Sequence, residues 1–227
     1  FHGLSYTYVT NAAGEYLGKA KEESRFVAAH LGTGGSSVSA IKGGQSIDTS
    51  MGYSPLAGLV MSTRSGDIDS TMLTGLMARH DVRAEALEQL LNKKSGLIGI
   101  SEFSSDLRDI LGRMDDPEEE QAELAFSMYC HRLTKYIGSY IVALGGIDAL
   151  IFTDDIGVTN PAVRDSVCTG LEWAGIELDH GRNQTPTKKQ ITEVSSKSSK
   201  VPVLTIPTDE EIVIVWEGLK LLEGRLV

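Results

Sequence analysis

The chain has 227 residues, 41% of them apolar and 23% charged, a composition that suits a globular protein with a sizeable core and excludes disordered and fibrous classes. Its formal charge of −10, with the acids spread along the chain, argues against nucleic acid as a partner, because a phosphate backbone demands a basic face. The longest apolar run, around Ile141 to Leu144, is far shorter than the roughly 20 residues a bilayer requires, and no basic-then-apolar signal pattern opens the chain, so a cytoplasmic protein without membrane partners is expected.

The chain opens at Phe1 without an initiator Met, which leads to the expectation that it is a piece of a longer protein. Phe26 to Ala29 form a short apolar run that leads through His30 and Leu31 into the small-residue stretch Gly32, Thr33, Gly34, Gly35, Ser36, Ser37, a strand followed by a tight turn. Val38 to Ile41 and Gln45 to Thr49 flank Gly43-Gly44 and predict a hairpin. Beyond a loop with Pro55 and Arg64, helices are predicted near Asp69 to Arg79 and Val82 to Leu91, the second ended by Lys93, Lys94 and Gly96. A second loop holds Ser104, Ser105, Asp106, Leu107 and Arg108.

The longest helix is placed from Pro117, with Glu118, Glu119 and Glu120 complementing its positive end, and with Leu124, Met128, Ile137, Ile141 and Leu144 as the apolar stripe up to Gly145-Gly146. A buried strand from Ala149 to Thr153, a loop, and a helix from Pro161 to Ala174 follow. The polar stretch from His180 to Lys200 lacks periodicity and is expected to be an exposed excursion. Strand Val201 to Ile206 precedes a helix whose Thr208 and Glu211 match a capping box. The two cysteines, Cys130 and Cys168, fall in helical segments and are expected in the core. This order of elements predicts an α/β fold with a mixed sheet.

Four groups of residues could carry chemistry. The Gly32 to Ser37 loop is either an anion cradle of converging backbone N–H groups or a plain glycine-rich turn; it is not a Walker loop, since no Lys follows its last Gly. Arg64 either grips a carboxylate or phosphoryl oxygen bidentately or pairs with Asp67 or Asp69. His2 and His30 are either packed core residues or donors to phosphoryl oxygens. Asp209, Glu210 and Glu211 either complement a helix dipole or include a carboxylate for Mg²⁺.

Taken together, the strings FHG (Phe1 to Gly3), HLGTGGS (His30 to Ser36), DTSMGYSPLAGLVMSTRSGDID (Asp48 to Asp69), SSDLRD (Ser104 to Asp109), FTDDIG (Phe152 to Gly157) and IPTDEE (Ile206 to Glu211) resemble the acetate and propionate kinase family. The resemblance implies the actin-like fold shared with sugar kinases and Hsp70, with residues 1–227 forming a ribonuclease-H-like second lobe, a mixed sheet with flanking helices, that lacks the first lobe and is inactive alone. It implies that the enzyme moves a phosphoryl group between ATP and acetate or propionate, giving acetyl phosphate, as a homodimer.

Matched by motif, His2, His30 and Arg64 would grip the phosphoryl group, Gly32, Thr33, Gly34, Gly35 and Ser36 the donor phosphates, and Glu210 Mg²⁺. Phe1 and Pro55 would line the pocket for the acetate methyl; Asp106, Leu107, Arg108, Asp154, Asp155 and Gly157 would meet the nucleotide. Two departures stand out. Thr33 replaces an Asn of most relatives, and Asp154 and Asp155 replace two glycines at the adenosine loop, which brings the chain closer to the pyrophosphate-using branch. A non-catalytic relative that kept only the fold is the competing class.

Overall fold

In the computed structural model, described for residues 1–114, 116, 118–187, 189–222 and 224, the elements run in the order α1 (Gly3–Leu17), β1 (Arg25–Leu31), β2 (Ser36–Lys42) and β3 (Gln45–Thr49). Next come α2 (Ser70–His80), α3 (Ala84–Lys93), α4 (Gly96–Ser101), α5 (Leu107–Leu111), α6 (Glu120–Leu144), β4 (Ala149–Thr153), α7 (Asp154–Thr159) and α8 (Pro161–Thr169). α9 (His180–Asn183), β5 (Thr192–Glu193), β6 (Val203–Ile206) and α10 (Glu210–Leu222) complete the chain. Two compact units divide it. The first comprises Phe1–Gly32, Val38–Thr49 and Ile137–Val227, the second Thr33–Ser37 and Ser50–Tyr136.

The first unit is built on a mixed sheet of order β3-β2-β1-β4-β6-β5. β1, β4 and β6 run parallel, with His30 opposite Thr153 and Thr153 opposite Ile206, so the segments after these strands leave from one end of the sheet. Continuous burial of the apolar runs in β1, β4 and β6 is what a central parallel strand covered on both faces requires. α1 packs Tyr6, Val9 and Ala13 onto Phe26, Ala28, Ile151 and Leu204. Its buried positions recur at helical spacing but are filled partly by Ser5, Thr10 and Gly14, so the apolar stripe is invisible in the sequence.

Several expectations are corrected. α6 is described from Glu120, and Pro117 lies outside the described residues. Leu124 and Met128 do not belong to its inner face, being 47% and 40% exposed; Phe126, Tyr129, Cys130 and Leu133 take that place. The loop after β4 is instead the short helix α7. The stretch 180–200 is exposed in large part but not without order: its described residues include α9, the edge strand β5 and the buried Asn183, Val194 and Ser195. Arg164, fully buried on α8, ties α7 to α9, because it donates to the carbonyls of Gly157, Val158 and Asn183 and to Asn183 Oδ1. Burial pulls its pKa down to about 10.

The second unit is mainly helical. A long loop, Ser50 to Asp69, is strapped onto the α3–α4 junction by backbone hydrogen bonds: Ser65 N to Leu91 O, Ser95 N to Thr63 O, Leu97 N to Met61 O and Ile98 N to Ser62 O. Gly96 makes this possible. At φ 65° its backbone approaches so closely that a Cβ would stand 2.1 Å from Met61 O and 2.6 Å from Arg64 O.

Candidate functional site

At the shared end of the parallel strands, in the first unit, sits a histidine cluster. His30, only 6% exposed at the end of β1, is held at both ring nitrogens: Nδ1 lies 2.9 Å from Ser5 Oγ and Nε2 lies 3.0 Å from Asp154 Oδ2. His2 stacks on its face with ring centroids 3.9 Å apart, and Tyr6 meets both rings edge-on. The hydrogen bond from His30, followed by its charge, holds the Asp154 carboxyl below the usual carboxylate range despite partial burial. His2 and Asp154 both adopt left-handed backbone, φ 54° and 63°, unusual for residues other than glycine. Ser5 and Tyr6 were not singled out by sequence, since neither belongs to a motif with a chemical signature.

Beside this cluster, β6 leads through Pro207 and Thr208 into α10. Asp209 Oδ1 accepts from Ile212 N and caps the helix, so the Thr208–Glu211 capping box does not form. The Thr208 hydroxyl oxygen is buried and has no hydrogen-bond partner among the described residues. It lines a cavity of about 180 Å³ with Asp154, Asp155, Val158, Thr159 and Pro207. Glu210 opens α10 in a half-buried position. Among the described residues no group of three or more His, Cys, Asp or Glu is placed to hold a metal ion, and Glu210 stands between the carboxylates of Asp209 and Glu211 in sequence. Gly157 is buried, and its Cβ position lies 3.3 Å from the Phe152 backbone, so it serves the packing of α7 onto β4. Phe1 is 57% exposed beside a separate cavity of about 230 Å³ formed with Gly3, Tyr6 and Thr10.

The second unit carries its own polar cavity, about 290 Å³, lined by Thr33, Gly34, Met61 to Arg64, Lys93, Ser105 and Asp106. Arg64 makes no ion pair among the described residues: Asp67 engages Arg132, Tyr136 and Gly58 N, while Asp69 caps α2 through Thr71. The Arg64 guanidinium instead touches Pro55 O at 3.5 Å and Met61 Sδ at 3.6 Å. Both candidate residues of the long loop, Pro55 and Arg64, therefore meet. Thr33 and Gly34 are exposed at the turn, whereas Ser36 and Ser37 begin β2 with buried side chains, so the turn spans Gly32 to Gly35 only.

Lys93 adds a second cation to this cavity and was read in sequence merely as the end of a helix. The Ser104 to Arg108 loop is shorter than expected, because Asp106 caps α5. Leu107 turns into the core at 2% exposure, and Arg108 is tied to Asp106 by a salt bridge of 2.5 Å.

Comparison with known proteins adds identity to this geometry. The acetokinase family profile matches residues 1–216. The chain belongs to the acetokinase family. It is 48% identical over 223 residues to acetate kinase of Caldicellulosiruptor saccharolyticus, covering 98% of this chain and 55% of that protein. Acetate kinase of Porphyromonas gingivalis superposes with a TM-score of 0.92 at 41% identity, covering 98% of this chain and 55% of the other, and that of Entamoeba histolytica with 0.90 at 46%, covering 97% and 57%. The chain thus spans about half the length of the curated relatives it matches. The mixed sheet with flanking helices is the actin-like, ribonuclease-H-like α/β fold expected from the sequence. Among the described residues no helix is long and apolar enough to cross a membrane.

Proposed function

We propose that this acetokinase chain is the second lobe of an acetate kinase, which transfers a phosphoryl group between ATP and acetate, or propionate, to give acetyl phosphate. One observation carries the reading. Arg64 lines a polar cavity with Lys93 and the Thr33–Gly34 turn, and its guanidinium has no carboxylate partner among the described residues. A structural arginine satisfies its charge internally; one left without a counter-ion is available to an anionic ligand.

In this reading Arg64 of the second unit steers the carboxylate and Pro55 supplies an apolar contact for the acetate methyl, while in the first unit His2 and His30 are donors to the phosphoryl group and Phe1 adds an apolar contact. The turn Gly32 to Gly35, with Ser36, orients the donor phosphates. Asp106 and Arg108 face the purine, and Asp154 and Asp155 bound the nucleoside side. Mg²⁺, held by Glu210, neutralises the donor phosphates when bound. In-line transfer to a carboxylate asks little covalent chemistry of the protein, so charge placement and orientation suffice. A homodimer in the cytoplasm, completed by a first lobe, is the form in which this acts.

Pyrophosphate is the second reading for the donor, favoured by two carboxylates, Asp154 and Asp155, lining a cavity of only about 180 Å³, small for a nucleoside. The test is acetyl phosphate formation by the full-length protein with acetate, Mg²⁺ and either ATP or pyrophosphate. Turnover with one donor supports the proposal and fixes the donor; no acetyl phosphate with either overturns it.

A further inference from the structure

A ligand that reaches His30 through a hydrogen bond has to replace a partner the ring already has. Nδ1 is taken by Ser5 Oγ at 2.9 Å and Nε2 by Asp154 Oδ2 at 3.0 Å, while one ring face is covered by His2. The two partners differ in access. Ser5 is fully buried on α1, whereas the Asp154 side chain is 34% exposed. Only Asp154 can yield to an anion arriving from solvent.

We propose that Asp154 is an internal anion seated at the His30 Nε2 position that a phosphoryl oxygen would take, and that an incoming phosphate must displace it into the adjoining cavity. This rests on the reading of His30 as a phosphoryl donor contact and makes Asp154 a specificity-determining residue for the phosphate ligand.

Three observations support it. The carboxylate bears the charge type of the ligand it stands in for and already accepts from the same nitrogen. It sits there in left-handed backbone, φ 63°, a conformation that costs a non-glycine residue free energy. A landing place exists, too: Asp154 itself lines the cavity of about 180 Å³ that Thr208 also lines, its hydroxyl buried with no hydrogen-bond partner among the described residues. A carboxylate rotated into that cavity accepts from Thr208 and satisfies a group that is otherwise orphaned, lowering the cost of leaving His30. His2 also acts electrostatically on the Asp154 carboxylate, and Asp155 follows it in α7.

An anion held by His30 and His2 alone therefore competes with a tethered carboxylate. A donor with a second phosphate anchored elsewhere wins that competition more readily than orthophosphate does.

The experiment is a titration of full-length protein carrying ¹⁵N-labelled histidine with inorganic phosphate at constant pH, following the His30 ring nitrogens, assigned by their disappearance in His30→Gln. Asp154→Asn keeps size and removes charge; Asp154→Gly removes the side chain and suits φ 63°, so it carries no backbone penalty. In both, the His30 response is expected at about tenfold lower phosphate than in the wild type, the scale of removing one close like charge from a partly screened site. Thr208→Val is expected to raise the midpoint about threefold in the wild-type background, the scale of one net hydrogen bond, and to change nothing in Asp154→Gly.

An unchanged or raised midpoint in both Asp154 variants overturns the proposal, as does absence of any His30 response in all proteins. Acetyl phosphate formation is measured separately. A protein that makes none but shows the shifted midpoints loses the kinase reading and keeps the displacement, and an active one without the shift does the reverse.

Discussion

The histidine cluster and the Arg64 cavity handle charge in opposite ways. His30 is almost wholly buried, and every polar edge of its ring is met by a neighbour, as burial of an imidazole demands. Arg64 is half-buried and, among the described residues, touches a carbonyl and a thioether and no carboxylate. The first region is set by its own side chains; the second is set by backbone straps and awaits a partner. Substitutions should therefore damage them differently, and four experiments separate the two behaviours.

The largest loss is expected at the support of the first region. Arg164→Ala strips donors from three buried carbonyls and Asn183 Oδ1, each worth about 1–3 kcal/mol if water cannot reach it, so a drop of about 3–5 kcal/mol in urea unfolding is expected. A loss within 1 kcal/mol would mean that α7 and α9 hold without it.

In the second region Arg64→Ala should barely change stability yet lower turnover of the full-length protein a hundredfold or more, in line with the roughly 2.7–4 kcal/mol of one lost transition-state donor. Wild-type turnover would return Arg64 to a structural role and erase the contrast.

Gly96→Ala tests the straps. The added Cβ meets Met61 O and Arg64 O at impossible distances in a left-handed backbone, so a cost of about 1–3 kcal/mol is expected, with phosphate affinity falling alongside stability. If affinity survived, the loop would not owe its position to Gly96.

The smallest effect is acid sensitivity. Asp154 has its pKa lowered in the folded state, so it stays ionised through neutral pH and its contribution is present above the unfolded aspartate value, about 3.9. That contribution disappears only as pH falls through the depressed folded value. Asp154→Asn should thus unfold less steeply than wild type below about pH 4 and show little difference at pH 7; an equal slope would show that His30 and Asp154 do not couple in solution.

How much of this was legible beforehand follows the same division. The strands β1, β4 and β6 were plain, because buried parallel strands are continuous apolar runs. The hairpin announced itself by Gly43-Gly44. α1 was not seen, since Ser5, Thr10 and Gly14 occupy its inner face and interrupt the apolar stripe. α9 escaped notice because Arg164, distant in sequence, holds its Asn183, and β5 because a two-residue strand paired to β6 leaves no local pattern.

At the candidate site, His2, His30, Arg64 and Glu210 were picked out by chemistry and by motif. Lys93, Ser5 and Thr208 were not, as each is a common residue whose meaning lies in what it lines or fails to pair with. Asp154 was read as an obstacle to a nucleoside; that its carboxylate sits on His30 needed coordinates.

The sheet order carries one last consequence, for the birth of the protein on the ribosome. β1 pairs with β4 across more than a hundred residues, Phe26 with Ala149, and β4 in turn waits for β6. All but a few residues of the second unit, Ser50 to Tyr136, are synthesised in between. That unit can close its contacts while β1 still lacks its neighbour, and loop-closure entropy is spent before the central pairing is rewarded. During translation β1 and the β2–β3 hairpin thus present an unpaired edge, and the nascent chain is most open to misassociation until residue 149 clears the exit tunnel.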